Sequence, residues 1–290
     1  ASRSYLAQWK RKLLTAMGEV GGSTGFNSAF DRAGNNWIGN DGDRSGSLQR
    51  EWRGWPNFGN GNFDHPARSS GATTRWVDEE GSEISFAEQL EGDHLRMRSA
   101  NGTYELEYHF FTTHAAIRVL KADDKYAFLF EGPIGGEQQN SSDYYVLQDG
   151  EPRTDWGSGL GYLDPDFGNK FPSPYFYLVD PDDDQIWYVG VKNTGPESAG
   201  DEGWSQDTNM VIISFGRDED QRAYEGTDAV CVFGFYDKTL GHDDLDGFIT
   251  ERLVDPFSVV GGGTGGTGGG GESAGGAGND GGAGGTGGVT

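Results

Sequence analysis

Short runs rich in β-branched and aromatic side chains recur along the chain between residues 73 and 254, separated by polar residues. Such runs are typical of strands, and Gly, Pro, Asn and Asp between the runs indicate turns. The pattern predicts about ten strands. The runs are 73–77, 94–99, 103–111, 115–121, 126–131, 144–148, 175–179, 185–192, 209–215, 229–236 and 247–254.

Many short strands with little helix predict an all-β fold, in which two antiparallel sheets pack as a β-sandwich or jelly roll. Residues 4–18 differ, because their apolar residues recur at helical spacing and Gly18 follows as a stop signal. This predicts one short N-terminal helix, which either packs on the body or serves as a surface for self-assembly.

Three regions follow from these patterns. Residues 1–70 hold the helix and a loop-rich segment packed on the body, residues 71–257 form the sandwich, and residues 258–290 form a tail. Residues 261–290 contain 18 glycines out of 30, so they lack the apolar side chains needed to order them. The tail is predicted to be a flexible linker. Its composition resembles the Gly-rich linkers that precede surface-sorting segments in secreted bacterial proteins.

The net charge restricts the partners. Asp and Glu total 46 against 22 Lys and Arg, which gives −24 and excludes a general binder of nucleic acid or anionic membranes. No apolar stretch approaches the ~18 residues that a membrane-spanning helix requires. A single cysteine, Cys231, excludes an intrachain disulfide and lies in an apolar run, which predicts a buried thiol.

The run 103–111 carries the strongest candidate chemistry. Its alternation places aromatic and aliphatic side chains on one face and Glu105, Glu107 and His109 on the other. A tight turn at residues 112–113 would set Phe111 opposite His114 and Arg118 opposite Glu107. Glu105, Glu107, His109 and Arg118 are therefore the predicted catalytic row.

The E-x-E-x-H spacing of Glu105, Glu107 and His109 resembles the carboxylate row, E-x-D-x-x-E, on one strand of concanavalin-like glycoside hydrolases. The resemblance implies a jelly-roll sandwich that cleaves glycans with paired carboxylates. The row departs from the family pattern at the last position, where His109 stands two residues after Glu107. In a second version, His109 or Tyr108 removes a proton α to a uronate carboxyl group that Arg118 neutralises, as in polysaccharide lyases. A third interpretation is a solvated polar face with a Glu107–Arg118 ion pair and no chemistry.

A loop rich in tryptophan and arginine is the candidate substrate-binding segment. Arg50, Trp52, Arg53 and Trp55 lie close together before the first predicted strand. A tryptophan face covers the apolar side of a sugar ring, and arginine donors take hydroxyl or carboxylate groups. The alternative is that the tryptophans close one end of the sandwich.

Two acidic segments are candidate cation sites. Asp41, Asp43 and Ser45 occupy alternate positions before a glycine, which resembles the first half of a calcium-binding loop. Glu51 falls one position short of the final ligand of such a loop, so an Asp/Gly turn remains open. Residues 180–184 are a second acidic segment, either a solvated loop tip or a cation site.

Together these features predict a secreted enzyme that cleaves a polysaccharide in a groove on the concave sheet, by elimination or by hydrolysis. Calcium would be structural. The alternative is a non-catalytic carbohydrate-binding module or a structural module of a cell-surface filament or lattice. Either protein is expected outside the cytoplasm, free or attached to a bacterial cell surface.

Overall fold

The computed structural model describes residues 29, 31–38, 54–59, 73–84, 94–136, 142–154, 173–192, 202–205, 211–216 and 224–258. The chain divides into two units, Ala1–Val259 and Val260–Thr290, and all described residues belong to the first. The predicted N-terminal helix and the predicted glycine-rich linker beyond residue 258 lie outside the described residues.

The described part of the chain is an antiparallel β-sandwich, as predicted. In chain order the strands are β1 Gly54–Gly59, β2 Thr73–Val77, β3 His94–Ala100, β4 Tyr104–Phe111, β5 Ala115–Ala122, β6 Ala127–Gly132, β7 Tyr144–Leu147, β8 Pro152–Arg153, β9 Tyr175–Val179, β10 Gln185–Lys192, β11 Glu202–Ser205, β12 Val211–Phe215 and β13 Val230–Asp237. A large sheet has the strand order β2-β3-β4-β5-β13-β10-β9-β7-β8, and a small sheet has the order β1-β6-β12-β11.

The predicted pairing of β4 with β5 is confirmed. The backbone N–H of Phe111 donates to the carbonyl oxygen of His114 at 2.8 Å, and Glu107 lies opposite Arg118. The pairing shifts by one residue further along, so that Lys121 lies opposite Glu105. This β-bulge turns Lys121 onto the same face as Glu105 and Glu107.

The main hydrophobic core lies between the two sheets. Aromatic side chains fill much of it, including the fully buried Phe128, Phe130 and Trp187. Cys231 is also completely buried there, and burial raises the pKa of its thiol. The prediction that the thiol of Cys231 is buried is therefore confirmed.

The prediction of a strand at residues 247–254 is wrong, because these residues end the helix α1, Gly241–Val254. Leu245, Ile249 and Leu253 recur at helical spacing and pack on the face of the large sheet that is turned away from the small sheet, here called the outer face. Gly190 on β10 allows this close packing, since a Cβ atom there would lie 3.3 Å from side-chain carbons of Ile249 and Leu253.

No helix in the described part of the chain is long and apolar enough to cross a membrane.

Candidate functional site

The outer face of strands β2 to β5 is polar. Alternation places every charged or histidine side chain of these four strands on that one face, because the intervening residues enter the main core. We call this surface the polar end of the outer face. It comprises Arg75, His94, Arg96, Arg98, Glu105, Glu107, His109, Arg118 and Lys121.

Glu107 lies at the centre of the polar end and is only 1% exposed. Its Oε2 accepts hydrogen bonds from Nη2 of Arg96 at 2.8 Å and Nε of Arg98 at 2.7 Å. Its Oε1 lies 2.8 Å from Nε2 of His109. Burial by itself would raise the pKa of Glu107, but the two arginine hydrogen bonds outweigh it and lower the pKa to about 2. Glu107 is therefore an ionised carboxylate with three donors.

The hydrogen bond to Glu107 fixes the tautomer of His109. An N–H at Nε2 donates to the carboxylate, which leaves Nδ1 of His109 as an acceptor. That Nδ1 lies 3.0 Å from Nε2 of His94, which then donates. Glu107, His109 and His94 thus form a continuous chain of hydrogen bonds across β4 and β3.

Both imidazoles are neutral at neutral pH. Burial lowers the pKa of His109 to about 4, against the attraction of Glu107. Burial also lowers the pKa of His94, and the charge of Arg96 acts in the same direction. His94 is half-buried, and its Nδ1 makes no hydrogen bond to any described residue. The chain of hydrogen bonds therefore ends in an imidazole nitrogen that can accept a proton.

Aromatic stacking holds the His94 ring in place. The ring lies parallel to Phe111 with 4.4 Å between centroids, and Phe111 stacks on His114 at 4.5 Å. His114 sits beside the β4–β5 turn, where its Nε2 donates to the carbonyl oxygen of Pro256 at 2.9 Å.

Arg118 occupies its predicted place opposite Glu107 but makes a different contact. Its guanidinium lies 4.1 Å from the ring centroid of Phe257, whose ring also lies 4.6 Å from that of His109. The Glu107–Arg118 ion pair of the third interpretation is wrong, because among the described residues the cations paired with Glu107 are Arg96 and Arg98.

Glu105, the remaining member of the predicted row, is half-buried on the same face of β4. It lies opposite Lys121, whose Nζ pairs instead with Asp123 at 2.6 Å. The structure therefore joins only Glu107 and His109 of the four predicted residues in direct contact.

Sequence reasoning missed His94, Arg96 and Arg98, which complete the site from β3. The strand was predicted, but its polar side chains were not assigned to a face. The signal was present, because His94, Arg96 and Arg98 alternate with Leu95 and Met97 in the same period of two that marked β4.

The predicted sugar platform and calcium loop cannot be placed beside this site. Arg50, Trp52 and Arg53 lie outside the described residues, as does the side chain of Trp55 on β1. Asp41, Asp43 and Ser45 also lie outside them. Both sites remain predictions.

The acidic segment 180–184 forms the turn between β9 and β10. The prediction of a solvated loop tip is wrong for Asp180 and Asp183, which are 7% and 5% exposed. The carboxyl group of Asp183 hydrogen-bonds with that of Asp31 and accepts from Nδ2 of Asn35 at 2.9 Å. Within the described residues, no group of three or more His, Cys, Asp or Glu side chains has a metal-binding arrangement.

No protein-family model matches the chain, and no curated protein sequence matches it. Among solved structures, ligand-free α-N-acetylgalactosaminidase NagBb from Bifidobacterium bifidum is similar over 65% of this chain and 32% of that enzyme, with 12% identity and a TM-score of 0.44. This chain thus spans about a third of the length of that enzyme.

Two further solved structures show partial likeness. The Slr1438 protein from Synechocystis sp. PCC 6803 is 14% identical over 52% of this chain and 64% of its own, with a TM-score of 0.29. A GH31 family sulfoquinovosidase from E. rectale is 10% identical over 56% of this chain and 27% of its own, with a TM-score of 0.23.

Proposed function

We propose that the protein is a secreted glycan-cleaving enzyme that acts by elimination at the polar end of the outer face. The observation that carries the proposal is the chain of hydrogen bonds from Glu107 through His109 to His94. A buried carboxylate that orients one histidine, which in turn orients a second, is an arrangement suited to a general base.

The contacts of Glu107 favour elimination over hydrolysis. A glycoside hydrolase needs one carboxylic acid to protonate the leaving group and one carboxylate to attack or to activate water. Glu107 is unsuited to either role, because the arginines keep it ionised, its two oxygens accept from three donors, and it is 1% exposed. Elimination instead needs a neutral base beside a cation that neutralises the substrate carboxylate. His94 is such a base, and Arg96 lies two residues away on the same face of β3.

The proposed elimination uses His94 as the base and water as the proton donor to the leaving group. Nδ1 of His94 takes the proton from the carbon α to a uronate carboxylate, and the C–H electron pair forms the carbon–carbon double bond. The C–O bond to the leaving sugar breaks, that oxygen takes a proton from water, and the hydroxide ion left behind is neutralised when His94 releases its proton. His109 accepts from the resulting imidazolium, and Glu107 fixes the tautomer of His109, so these two are positioning residues.

The test is to incubate the full chain with neutral and uronic-acid polysaccharides while following absorbance near ~235 nm and reducing ends together, since elimination alone creates an unsaturated uronate. We expect both signals on a uronic-acid polymer. Reducing ends without absorbance would overturn elimination in favour of hydrolysis.

A matched pair of variants assigns the base. His94→Ala should lower the rate by about 100-fold or more, as expected for loss of a general base. His242→Ala is the control. His242 lies in the first turn of α1 and contacts Tyr177 on β9, a strand that is not adjacent to β3 in the large sheet. Full activity of His94→Ala would remove His94 from the mechanism.

One observation favours a second candidate, a non-catalytic carbohydrate-binding module. Glu107 and His109 are 1% and 5% exposed, and a purely structural network would be buried in the same way. This module would retain a glycan without forming product, so retention without either signal would support it over the enzyme.

A further inference from the structure

Arginines lie in a line across the polar end. In the register of the sheet, Arg75 on β2 lies opposite Arg98 on β3, and Arg98 lies opposite Glu107 on β4. Glu107 in turn lies opposite Arg118 on β5. Adjacent strands are about 4.8 Å apart, so the backbones of Arg75 and Arg118 are separated by roughly 14 Å. Three guanidinium groups thus project from one face along one direction perpendicular to the strands.

Positive charge exceeds negative charge on this face, although the chain as a whole carries −24. The strands β2 to β5 place five Arg or Lys side chains there against two carboxylates, Glu105 and Glu107. The contacts of Arg96, Arg98 and His109 already occupy Glu107. Lys121 pairs with Asp123, so Arg75 and Arg118 are the cations of these four strands that remain available to an anionic ligand.

Arg75 and Arg118 are the exposed ends of the line. Within the described residues, neither makes an ion pair with a carboxylate. Arg75 also lies directly opposite Arg98, and like charges at directly opposite positions of a sheet are destabilising. Arg118 stacks on Phe257, and a stacked guanidinium keeps the N–H donors at its edge available. A bound anion would relieve the repulsion and use these donors.

We propose that Arg75, Arg98 and Arg118 form a binding track for a polyuronate, a glycan with carboxylates on successive sugar units. The inference rests on the proposed function and narrows its substrate class. Guanidinium groups pair with planar carboxylates through two parallel hydrogen bonds. A line of three suits a polymer with repeated carboxylates better than a single uronate at one chain end.

Binding can be measured apart from catalysis in the His94→Ala background, with polygalacturonate as the probe and calorimetry at low and moderate salt. Arg75→Gln and Arg118→Gln should each weaken binding by about tenfold, as expected for loss of a charge-assisted hydrogen bond. Both should also reduce the salt dependence of the affinity. Lys125→Gln is the matched control, because Lys125 loses the same charge but pairs with Glu225 beyond the end of β5.

The outcomes separate this inference from the proposed function. Unchanged affinity in both arginine variants, with native circular dichroism, would overturn the track even if the enzyme cleaves polyuronate. Arginine-dependent binding without product from the unmodified chain would support the track and overturn catalysis. Dextran sulfate bound as tightly as polygalacturonate would overturn the carboxylate assignment, whereas weaker binding of dextran sulfate and of neutral dextran would support it.

Discussion

Nε2 of His109 lies 2.8 Å from Oε1 of Glu107, two residues away on the same face of β4. This contact joins two buried groups, of which one is charged and the other is neutral. Glu107 stays ionised because Arg96 and Arg98 donate to it, and His109 stays neutral because it is buried. The same contact sets which nitrogen of His109 faces His94, so one carboxylate controls the orientation of two imidazoles.

Glu107→Gln should destabilise the fold strongly. The substitution leaves the partly buried Arg96 and Arg98 without their charged partner, and breaking a buried pair on one side costs roughly 3–5 kcal/mol. Urea unfolding measures the loss. Glu105→Gln is the control on the same strand. We expect it to change the free energy of unfolding by less than about 1 kcal/mol, because Glu105 forms no ion pair with any described residue. A similarly small loss for Glu107→Gln would contradict a central role for this carboxylate.

His94 should titrate below its ordinary pKa of 6.5 and carry its proton on Nε2. The physical causes are its burial and the nearby charge of Arg96. Side-chain nitrogen NMR over a pH series measures both properties, with the His94→Gln spectrum assigning the signal. A proton on Nδ1, or a pKa above 6.5, would rule out the proposed hydrogen-bond chain.

The paired carboxyl groups of Asp31 and Asp183 should make stability fall as pH rises. Burial, with the hydrogen bond that the protonated Asp31 donates to the carboxylate of Asp183, raises the pKa of Asp31 from 3.8 to about 6. A raised folded pKa contributes stability that is present below 3.8 and is lost as pH rises through about 6. The fall in unfolding free energy between pH 3.8 and about 6 should disappear in Asp31→Asn, because asparagine does not titrate.

Other charged groups around this pair include Asp180, Asp182, Asp184, Arg32, Asp237 and Lys238. Asp182→Asn tests their contribution, because Asp182 is exposed in the same turn. It should keep the fall seen in the unmodified protein. If Asp31→Asn keeps that fall too, the source of the pH dependence lies elsewhere.

Ile249→Ala should lower the free energy of unfolding by roughly 2–5 kcal/mol, because it opens a cavity between α1 and the large sheet. Ile249 is completely buried beside Gly190. Val254→Ala on the same helix is the control, since Val254 is 71% exposed and should change stability by less than about 0.5 kcal/mol. Equal effects of the two substitutions would mean that α1 does not depend on this packing.

The sequence predicted strand positions best where turn residues flank a run of β-branched and aromatic side chains. The bounds of β2, β9 and β10 agree with the prediction to the residue, because turn residues flank runs of β-branched and aromatic side chains there. Short strands with few apolar residues gave no such signal, so the sequence did not place β1, β8 or β11. The segment 247–254 reads equally well as a strand or as a helix, and only its packing on the sheet selects the helix.

Local periodicity determined which side chains of β4 share a face, and a two-residue turn determined that Arg118 lies opposite Glu107. Both depend on neighbours in the chain, so the sequence contains them. The partners of Glu107 were decided by the pairing of β3 with β4. Arg118 turned to Phe257 because the residues after α1 return to the outer face. These contacts join residues distant in sequence, and only the assembled sheet and its packed helix bring them within reach of one another.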